Sequence, residues 1–164
     1  MYENRFTNWV RWCDRNVTEE VKYPGIYIVA VADEDISGSN FSWTTDIAYV
    51  GMTNSLKGLA GRLKQFDNTI KGKSGHGGAD RMRLKYQNYN ELVNKLYVAV
   101  APFTCNVKSH KPEDLRVMGE VAKFEYDCFA CFTELFGCLP EFNDHVKSPK
   151  YSLTIGRKEY ILEV

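Results

Sequence analysis

The sequence lacks several features that would place the chain in a special class. It contains no apolar run of about 18 residues, so we expect no transmembrane helix and no membrane partner. The opening stretch MYENRFTNWVRWCDRN has no apolar signal-peptide core, so we expect an intracellular, cytoplasmic protein. Neither sign of charge is in excess, because 21 Lys and Arg residues balance 21 Asp and Glu residues. Any binding of nucleic acid would therefore need a local concentration of positive charge.

The composition that is present indicates one ordinary globular domain over residues 1–164. Apolar residues make up 44% of the chain, which is enough for a core. The five cysteines of an intracellular protein are expected to be reduced. Cys128, Cys131, Cys138 and His145 have a spacing that a zinc site can use. The first three lie in an aromatic run at helical spacing, which favours cysteine packing as a small apolar side chain.

The apolar pattern predicts helices interleaved with strands. Apolar residues at intervals of three or four predict an N-terminal helix over 6–17 and later helices over 55–66, 78–95 and 112–137. Strand-forming runs cover 26–32, 47–50 and 96–101, and a terminal hairpin is predicted within 151–164. This order favours an α+β fold, in which a small three-stranded, mostly antiparallel sheet is flanked by helices.

The first two strands carry the motifs GIY at 25–27 and YVG at 49–51. With them, the helix GLAGRL at 58–63, His76 and the segment PEFN at 140–143 resemble the GIY-YIG nuclease superfamily. The resemblance covers 23–143, which is the expected nuclease core, with extensions at both ends. It implies catalytic roles for Tyr27, Tyr49, Arg62 and His76, and supporting roles for Gly25, Gly51 and Asn143. Two positions depart from the family pattern: Phe66 stands where many members have histidine or tyrosine, and Met52 where many have lysine.

The resemblance also implies a metal-binding glutamate on the last helix, and two candidates are present. Glu120 and Glu125 reproduce a pair that the family often shows, and the first member is usually the ligand. We therefore predict that Glu120 is catalytic and binds the metal, Mg²⁺ or Mn²⁺. Glu125 remains the alternative, because it has the common spacing from Pro140. It also shares a helix face with apolar residues, where a carboxylate needs a metal or a partner.

The expected chemistry is hydrolysis of a phosphodiester bond. We assign Tyr27 as the general base and Tyr49 as its orienting partner, since two cross-strand phenols near one phosphate can orient and deprotonate water. The adjacent glycines would let a phosphate backbone approach closely, and Arg62 would hold the phosphoryl oxygens in a fork. The alternative is that both tyrosines simply pack in the sheet, because aromatic residues favour strands.

The resemblance thus implies a metal-dependent DNA endonuclease that leaves 5′-phosphate and 3′-hydroxyl ends, of phage, mobile-element or restriction type. The chain has little room for a separate DNA-binding domain, so specificity is expected to come from loops or from homo-oligomerisation. A non-catalytic nucleic-acid- or protein-binding module with the same fold is the alternative function. The basic residues that flank a glycine-rich loop are the predicted DNA-binding cluster: Lys71, Lys73, Arg81, Arg83 and Lys85.

Overall fold

A four-stranded sheet forms the centre of the fold. The computed structural model describes residues 2–151 and residue 154. The strands are β1 (Val10–Arg11), β2 (Gly25–Val31), β3 (Ile47–Thr53) and β4 (Leu96–Pro102). Their order across the sheet is β1-β4-β2-β3, and each neighbouring pair is antiparallel. The predicted α+β class is confirmed, whereas the prediction of three strands is wrong because β1 extends the sheet to four.

Helices cover both faces of this sheet. They are α1 (Gly58–Ile70), α2 (Gly77–Lys85), α3 (Tyr89–Val93) and α4 (Pro112–Phe136). Short 3₁₀ turns occupy Glu3–Arg5, Trp12–Asp14, Glu19–Lys22 and Glu141–Asn143. Within the described residues, no helix has the length and apolar character needed to cross a membrane.

The single helix predicted over 78–95 is two helices. The first ends at Lys85, and the second begins after Asn88, whose side-chain oxygen accepts a hydrogen bond from the Glu91 backbone N–H at 3.3 Å. An asparagine that bonds to the N–H three residues later is a strong helix start. The capping preference of Asn88 therefore outweighs the continuous helical periodicity.

The α-helix predicted over 6–17 is absent, and the segment instead contains β1 followed directly by the 3₁₀ turn Trp12–Asp14. Trp9 packs in the hydrophobic core on one face of the sheet, while Trp12 packs in the core on the other face. One helix would place two side chains three residues apart on the same side. Each tryptophan packs in a different core. The chain between them therefore forms the short edge strand β1, which places the two side chains on opposite faces of the sheet.

The two faces of β2 build these two cores. Ile26, Ile28 and Ala30 face the core that α4 covers, whereas Tyr27 and Val29 face the core that α1 and α2 cover. Both sets are buried, as the uninterrupted apolar run of β2 predicts. The α1 side thus receives Tyr27, the first residue of the predicted catalytic group.

The remaining predictions concern cysteine and the C-terminus. All five cysteines are free. Cys128 and Cys131 are both buried, as expected for cysteines that pack as small apolar side chains. Within the described part of the chain, no group of three or more His, Cys, Asp or Glu side chains is placed to hold a metal ion. The hairpin predicted within 151–164 lies outside the described residues, apart from Tyr151 and Thr154.

Candidate active site around Tyr49

Tyr27 and Tyr49 are diagonal neighbours on one face of the sheet. In the register of β2 and β3, Tyr27 lies opposite Gly51 and Val29 lies opposite Tyr49. The centroids of the two tyrosine rings are 6.0 Å apart. Tyr27 is fully buried in the central strand, whereas Tyr49 lies on the edge strand and is half-buried. Only Tyr49 is therefore open to a molecule from solvent.

The glycines beside these tyrosines make room for protein atoms. A β-carbon at Gly51 would lie 2.4 Å from the Tyr27 ring and hydroxyl, and one at Gly78 would lie 2.2 Å from the Tyr49 ring. A β-carbon at Gly25 would lie 2.2 Å from the carbonyl oxygen of Ala101. The expectation that Gly25 and Gly51 leave space for a phosphate backbone is thus wrong. The space that they leave is filled by the Tyr27 ring and by β4.

His76 forms a hydrogen bond with the Tyr27 hydroxyl. It is the N-cap residue of α2, where its Nδ1 accepts a hydrogen bond from the Ala79 backbone N–H at 3.2 Å. Because Nδ1 accepts, the ring proton of the neutral imidazole is on Nε2, which lies 2.6 Å from the Tyr27 oxygen. Burial, followed by the charge of Arg62, lowers the pKa of His76 to about 3. His76 therefore stays neutral and donates its Nε2–H to Tyr27.

Burial governs the pKa values of both phenols. Burial is the largest effect on both phenols, and it raises the pKa of Tyr27 well above its usual value and raises that of Tyr49 as well. Hydrogen bonding from Tyr27 acts in the opposite direction on Tyr49 and lowers its pKa. His76 thus holds the Tyr27 hydroxyl, while Tyr49 is the more exposed of the two phenols. The assigned general base, Tyr27, is therefore fully buried, whereas its assigned orienting partner, Tyr49, is partly exposed.

Two arginines supply positive charge to this group. Arg62 extends from α1, and Arg81, which is only 8% exposed, extends from α2. The charges of both lower the pKa values of Tyr49 and His76. The Arg62 Nη1 donates to Gln65 Oε1 at 2.5 Å, while the Nε atoms of both arginines are buried without a hydrogen-bond partner in the described structure. Arg81 was predicted to bind DNA on the surface, and its sequence position alone does not distinguish it from Arg83.

Of the two candidate glutamates, the structure places Glu125 in this group. Helix α4 packs along the edge strand β3, and Glu125 is half-buried there. Burial raises the pKa of Glu125 while the charge of Arg62 opposes that rise, and the charge of Glu125 in turn raises the pKa of Tyr49. Glu120 is exposed to solvent on the same helix. The expected metal ligand Glu120 is thus not brought to Tyr49, and the alternative Glu125 is.

The Glu125 carboxylate suits a hard cation. Within the described residues it accepts no hydrogen bond, although burial makes an unpartnered carboxylate unfavourable. Mg²⁺ is commonly bound by one or two protein carboxylates and keeps several of its waters. A single half-buried glutamate within electrostatic range of Tyr49 is therefore a sufficient protein donor for such an ion.

Asn143 fixes the backbone of the strand that carries Tyr49. Its Oδ1 accepts from the Val50 N–H and its Nδ2 donates to the Val50 carbonyl, each at 2.8 Å. The side-chain amide thereby occupies the open edge of β3 much as a neighbouring strand would. Asn143 therefore holds Tyr49 in place through the backbone and does not face the phenols itself.

The predicted DNA-binding cluster does not form one continuous basic surface. Lys71 pairs with Asp67 at 2.6 Å, and Lys85 pairs with Glu141 at 2.8 Å. Arg83 donates to the Gly72 carbonyl at 3.3 Å and lies 3.9 Å above the Tyr151 ring. Lys73 is exposed and forms no ion pair within the described chain. Of the predicted cluster, only Lys73 keeps an exposed charge that no side chain or backbone group of the described residues pairs with.

Comparison of the chain with known protein families, curated proteins and solved structures finds no match. Function must therefore be inferred from the residues themselves. We use the term tyrosine site for the side chains that the fold gathers around the accessible phenol: Tyr27, Tyr49, Arg62, His76, Arg81 and Glu125.

Proposed function

We propose that the chain is a metal-dependent DNA endonuclease of the GIY-YIG type, which hydrolyses phosphodiester bonds to leave 5′-phosphate and 3′-hydroxyl ends. The observation that carries this proposal is the convergence of a phenol, two guanidinium groups and a carboxylate at one partly open position. Phosphodiester hydrolysis needs a group that accepts a proton from water and cations that stabilise developing negative charge. The tyrosine site offers both within one cluster.

In this proposal Tyr49 is the general base. It orients a water molecule and, as the phenolate, takes its proton while the water oxygen forms a bond to phosphorus and the bond to the 3′ oxygen breaks. A phenol of pKa about 10 is a weak base at neutral pH, and burial makes it weaker still. Arg62, Arg81 and the hydrogen bond from Tyr27 oppose that effect, because each stabilises the phenolate. Tyr27 and His76 are positioning residues.

Arg62 binds the reacting phosphate in this proposal. Its Nε is buried without a partner in the described structure and its Nη1 donates to Gln65, so a phosphate would replace Gln65 at the guanidinium fork, which matches two phosphoryl oxygens. The fork would keep phosphorus in line with the water that Tyr49 orients. A Mg²⁺ ion held by Glu125 would supply charge stabilisation at the leaving oxygen.

A second candidate function is a nucleic-acid-binding module that has kept the fold without cleavage. Phe66 favours it, because this buried ring packs against both tyrosines and His76, with centroid distances of 6.5, 5.8 and 4.8 Å to Tyr27, Tyr49 and His76. An apolar ring at that position offers no hydrogen bond to either phenol. The two functions make opposite forecasts for cleavage.

A plasmid-nicking assay tests the proposal. Supercoiled plasmid is incubated with the protein in Mg²⁺, in Mn²⁺ and in EDTA, and we expect nicked or linear product only with the metals. Tyr49→Phe should lower the rate by about 10²–10⁴-fold, the usual contribution of a general base. Tyr126→Phe is the matched control, because Tyr126 is 72% exposed on α4 and should retain full activity. DNA binding without cleavage in either metal would favour the non-catalytic module.

A further inference from the structure

A groove beside the tyrosine site carries positive charge with no compensating carboxylate. It lies between the end of β3 and α1 and has a volume of about 830 Å³. Its lining includes Lys57, Arg62, Lys64 and Lys73, and none of the described residues that line it is acidic. We use the term lysine groove for this feature. Because Arg62 belongs to both, the lysine groove adjoins the tyrosine site.

The lysines of this groove have free charges. Lys57, Lys64 and Lys73 are exposed, and none forms an ion pair within the described part of the chain. By contrast, Lys71 and Lys85 are paired with carboxylates. Unpaired cations that line one groove repel each other and attract a polyanion, whose counterions are released on binding. The groove thus concentrates charge in a protein whose net charge is zero.

The other lining residues suit a sugar-phosphate chain. Asn54, Gln65 and Asn68 offer side-chain amides, and Leu56 is 64% exposed at the groove. Amides commonly bond to phosphate and sugar oxygens, and an exposed leucine can contact a sugar or base. Lys57 and Lys64 are seven residues apart along α1, which is about 10 Å. That length corresponds to about three nucleotides at about 3.4 Å each along one strand.

We propose that the lysine groove binds about three consecutive phosphates of one DNA strand, next to the phosphate that Arg62 holds. This inference rests on the proposed function for the identity of the bound strand. It differs from the DNA-binding cluster predicted from the sequence, of which only Lys73 is retained. The strand leaves the tyrosine site along α1, rather than across the paired lysines of the glycine-rich loop and the end of α2.

Salt-dependent binding tests the groove without requiring cleavage. Fluorescence anisotropy would measure binding of the protein in EDTA to a labelled duplex of about 20 base pairs over a series of NaCl concentrations. The test variant is Lys57→Gln, Lys64→Gln and Lys73→Gln in one chain. The matched control removes the same charge through Lys108→Gln, Lys111→Gln and Lys147→Gln, which are also exposed and lie outside the groove. Thermal melting of both variants checks that they fold.

We expect the test variant to bind more weakly and to lower the slope of log affinity against log salt by about 2–3, because each lost phosphate contact contributes about 0.9. The control should keep a slope close to that of the unmodified protein. An equal loss in both variants, an unchanged slope in the test variant, or no binding by the unmodified protein would overturn the groove. The plasmid assay separates the two proposals. If the unmodified protein cuts DNA but the test variant has an unchanged salt slope, only the proposal for the lysine groove is wrong. If the test variant has the reduced slope but the unmodified protein does not cut DNA, only the proposed nuclease activity is wrong.

Discussion

At the scale of the residue, Arg62 connects the tyrosine site to the lysine groove. Burial raises the pKa of Tyr49 and lowers that of His76; the charge of Arg62 opposes the first shift and adds to the second, and its Nε has no partner among the described residues. We predict that Arg62→Ala lowers the cleavage rate by about 10²–10³-fold, the usual loss when one transition-state donor is removed. Arg62→Lys should restore only part of the rate, because a lysine keeps the charge without the fork. Plasmid cleavage and melting temperature would be measured together.

Arg116→Ala is the control for this loss, because Arg116 is an exposed arginine near the start of α4. It should cleave at the unmodified rate. If Arg62→Ala also cleaved at that rate with an unchanged melting temperature, Arg62 would be an ordinary surface residue and the fork would have no role in the reaction.

The two glutamates of α4 give the second prediction. Glu125→Gln should abolish Mg²⁺-dependent cleavage and leave DNA binding in EDTA intact, because the half-buried carboxylate interacts electrostatically with Tyr49 and Arg62 and accepts no hydrogen bond from a described residue. Glu120→Gln should cleave normally, because Glu120 is exposed. The two substitutions are a matched pair, because both replace glutamate by glutamine on the same helix. The reverse pattern, with loss of cleavage only in Glu120→Gln, would restore the assignment made from the sequence.

The sequence predicts some of these residues and not others. Tyr27, Tyr49, Arg62 and His76 are named by their order along two strands and two helices, and the fold brings them together. The choice of Glu125 depends on how α4 is rotated against the edge of β3. The burial of Arg81 depends on how closely α2 packs on Tyr49, where Gly78 leaves room. The position of Glu125 and the burial of Arg81 both depend on how helices pack against the sheet. The spacing of residues along the sequence does not reveal this packing.

At the scale of the element, the pairing of β2 with β3 depends on the absence of a side chain at Gly51. A β-carbon there would lie 2.4 Å from the Tyr27 ring, and that ring is held by His76 and surrounded by the core. We predict that Gly51→Ala lowers the free energy of unfolding by about 1–3 kcal/mol, the usual cost of overpacking. Urea unfolding would measure it.

Gly119→Ala is the matched control and should change stability in the opposite direction. Gly119 is exposed in the interior of α4, and a β-carbon there would meet nothing within 4 Å. Replacing a helix-interior glycine by alanine adds up to about 1 kcal/mol. Equal stabilisation by both substitutions would show that the Tyr27 ring can move aside and that the close approach is not a constraint.

Elements with a strong local pattern are predicted well. The hairpin of β2 and β3, the helix α1 and the long helix α4 follow from apolar runs and periodicity, and Pro112 with two acids marks the start of α4. The N-terminal segment is different, because its apolar spacing fits a helix equally well. Its true conformation is decided by two separate cores that each require one tryptophan, which is a long-range condition.

At the scale of the whole molecule, Asp67 joins the N-terminal segment to the helices of the α1 face. Its Oδ1 accepts from Trp12 Nε1 at 2.8 Å and from the Tyr89 hydroxyl at 2.9 Å. Its Oδ2 accepts from Lys71 Nζ at 2.6 Å and lies 3.2 Å from Arg15 Nη2. The Asp67 side chain is only 4% exposed. One buried carboxylate thus links α1, α3 and the chain around β1, on the same face as the tyrosine site.

This carboxylate should make stability depend on pH. Burial, the largest single effect, raises the pKa of Asp67, but hydrogen bonds from Lys71, Trp12 and Tyr89 with the charge of Arg15 outweigh it, so the pKa is lowered. A carboxyl group whose pKa is lower when folded adds stability that is fully present above its unfolded value of about 3.9 and is lost as the pH falls through the folded value.

We therefore predict that Asp67→Asn lowers the free energy of unfolding by about 3 kcal/mol at pH 7, since Lys71 and Arg15 then lose their buried counter-charge. The asparagine oxygen can still accept from Trp12 and Tyr89, so the substitution tests the charge in particular. Urea unfolding of both proteins between about pH 7 and pH 2 is the measurement, and subtraction cancels the other carboxylates that the two chains share. The difference should shrink steadily below about pH 4 as Asp67 is protonated in the unmodified protein. A difference that stayed constant down to the lowest pH would show that the Asp67 charge does not hold the N-terminal segment to this face.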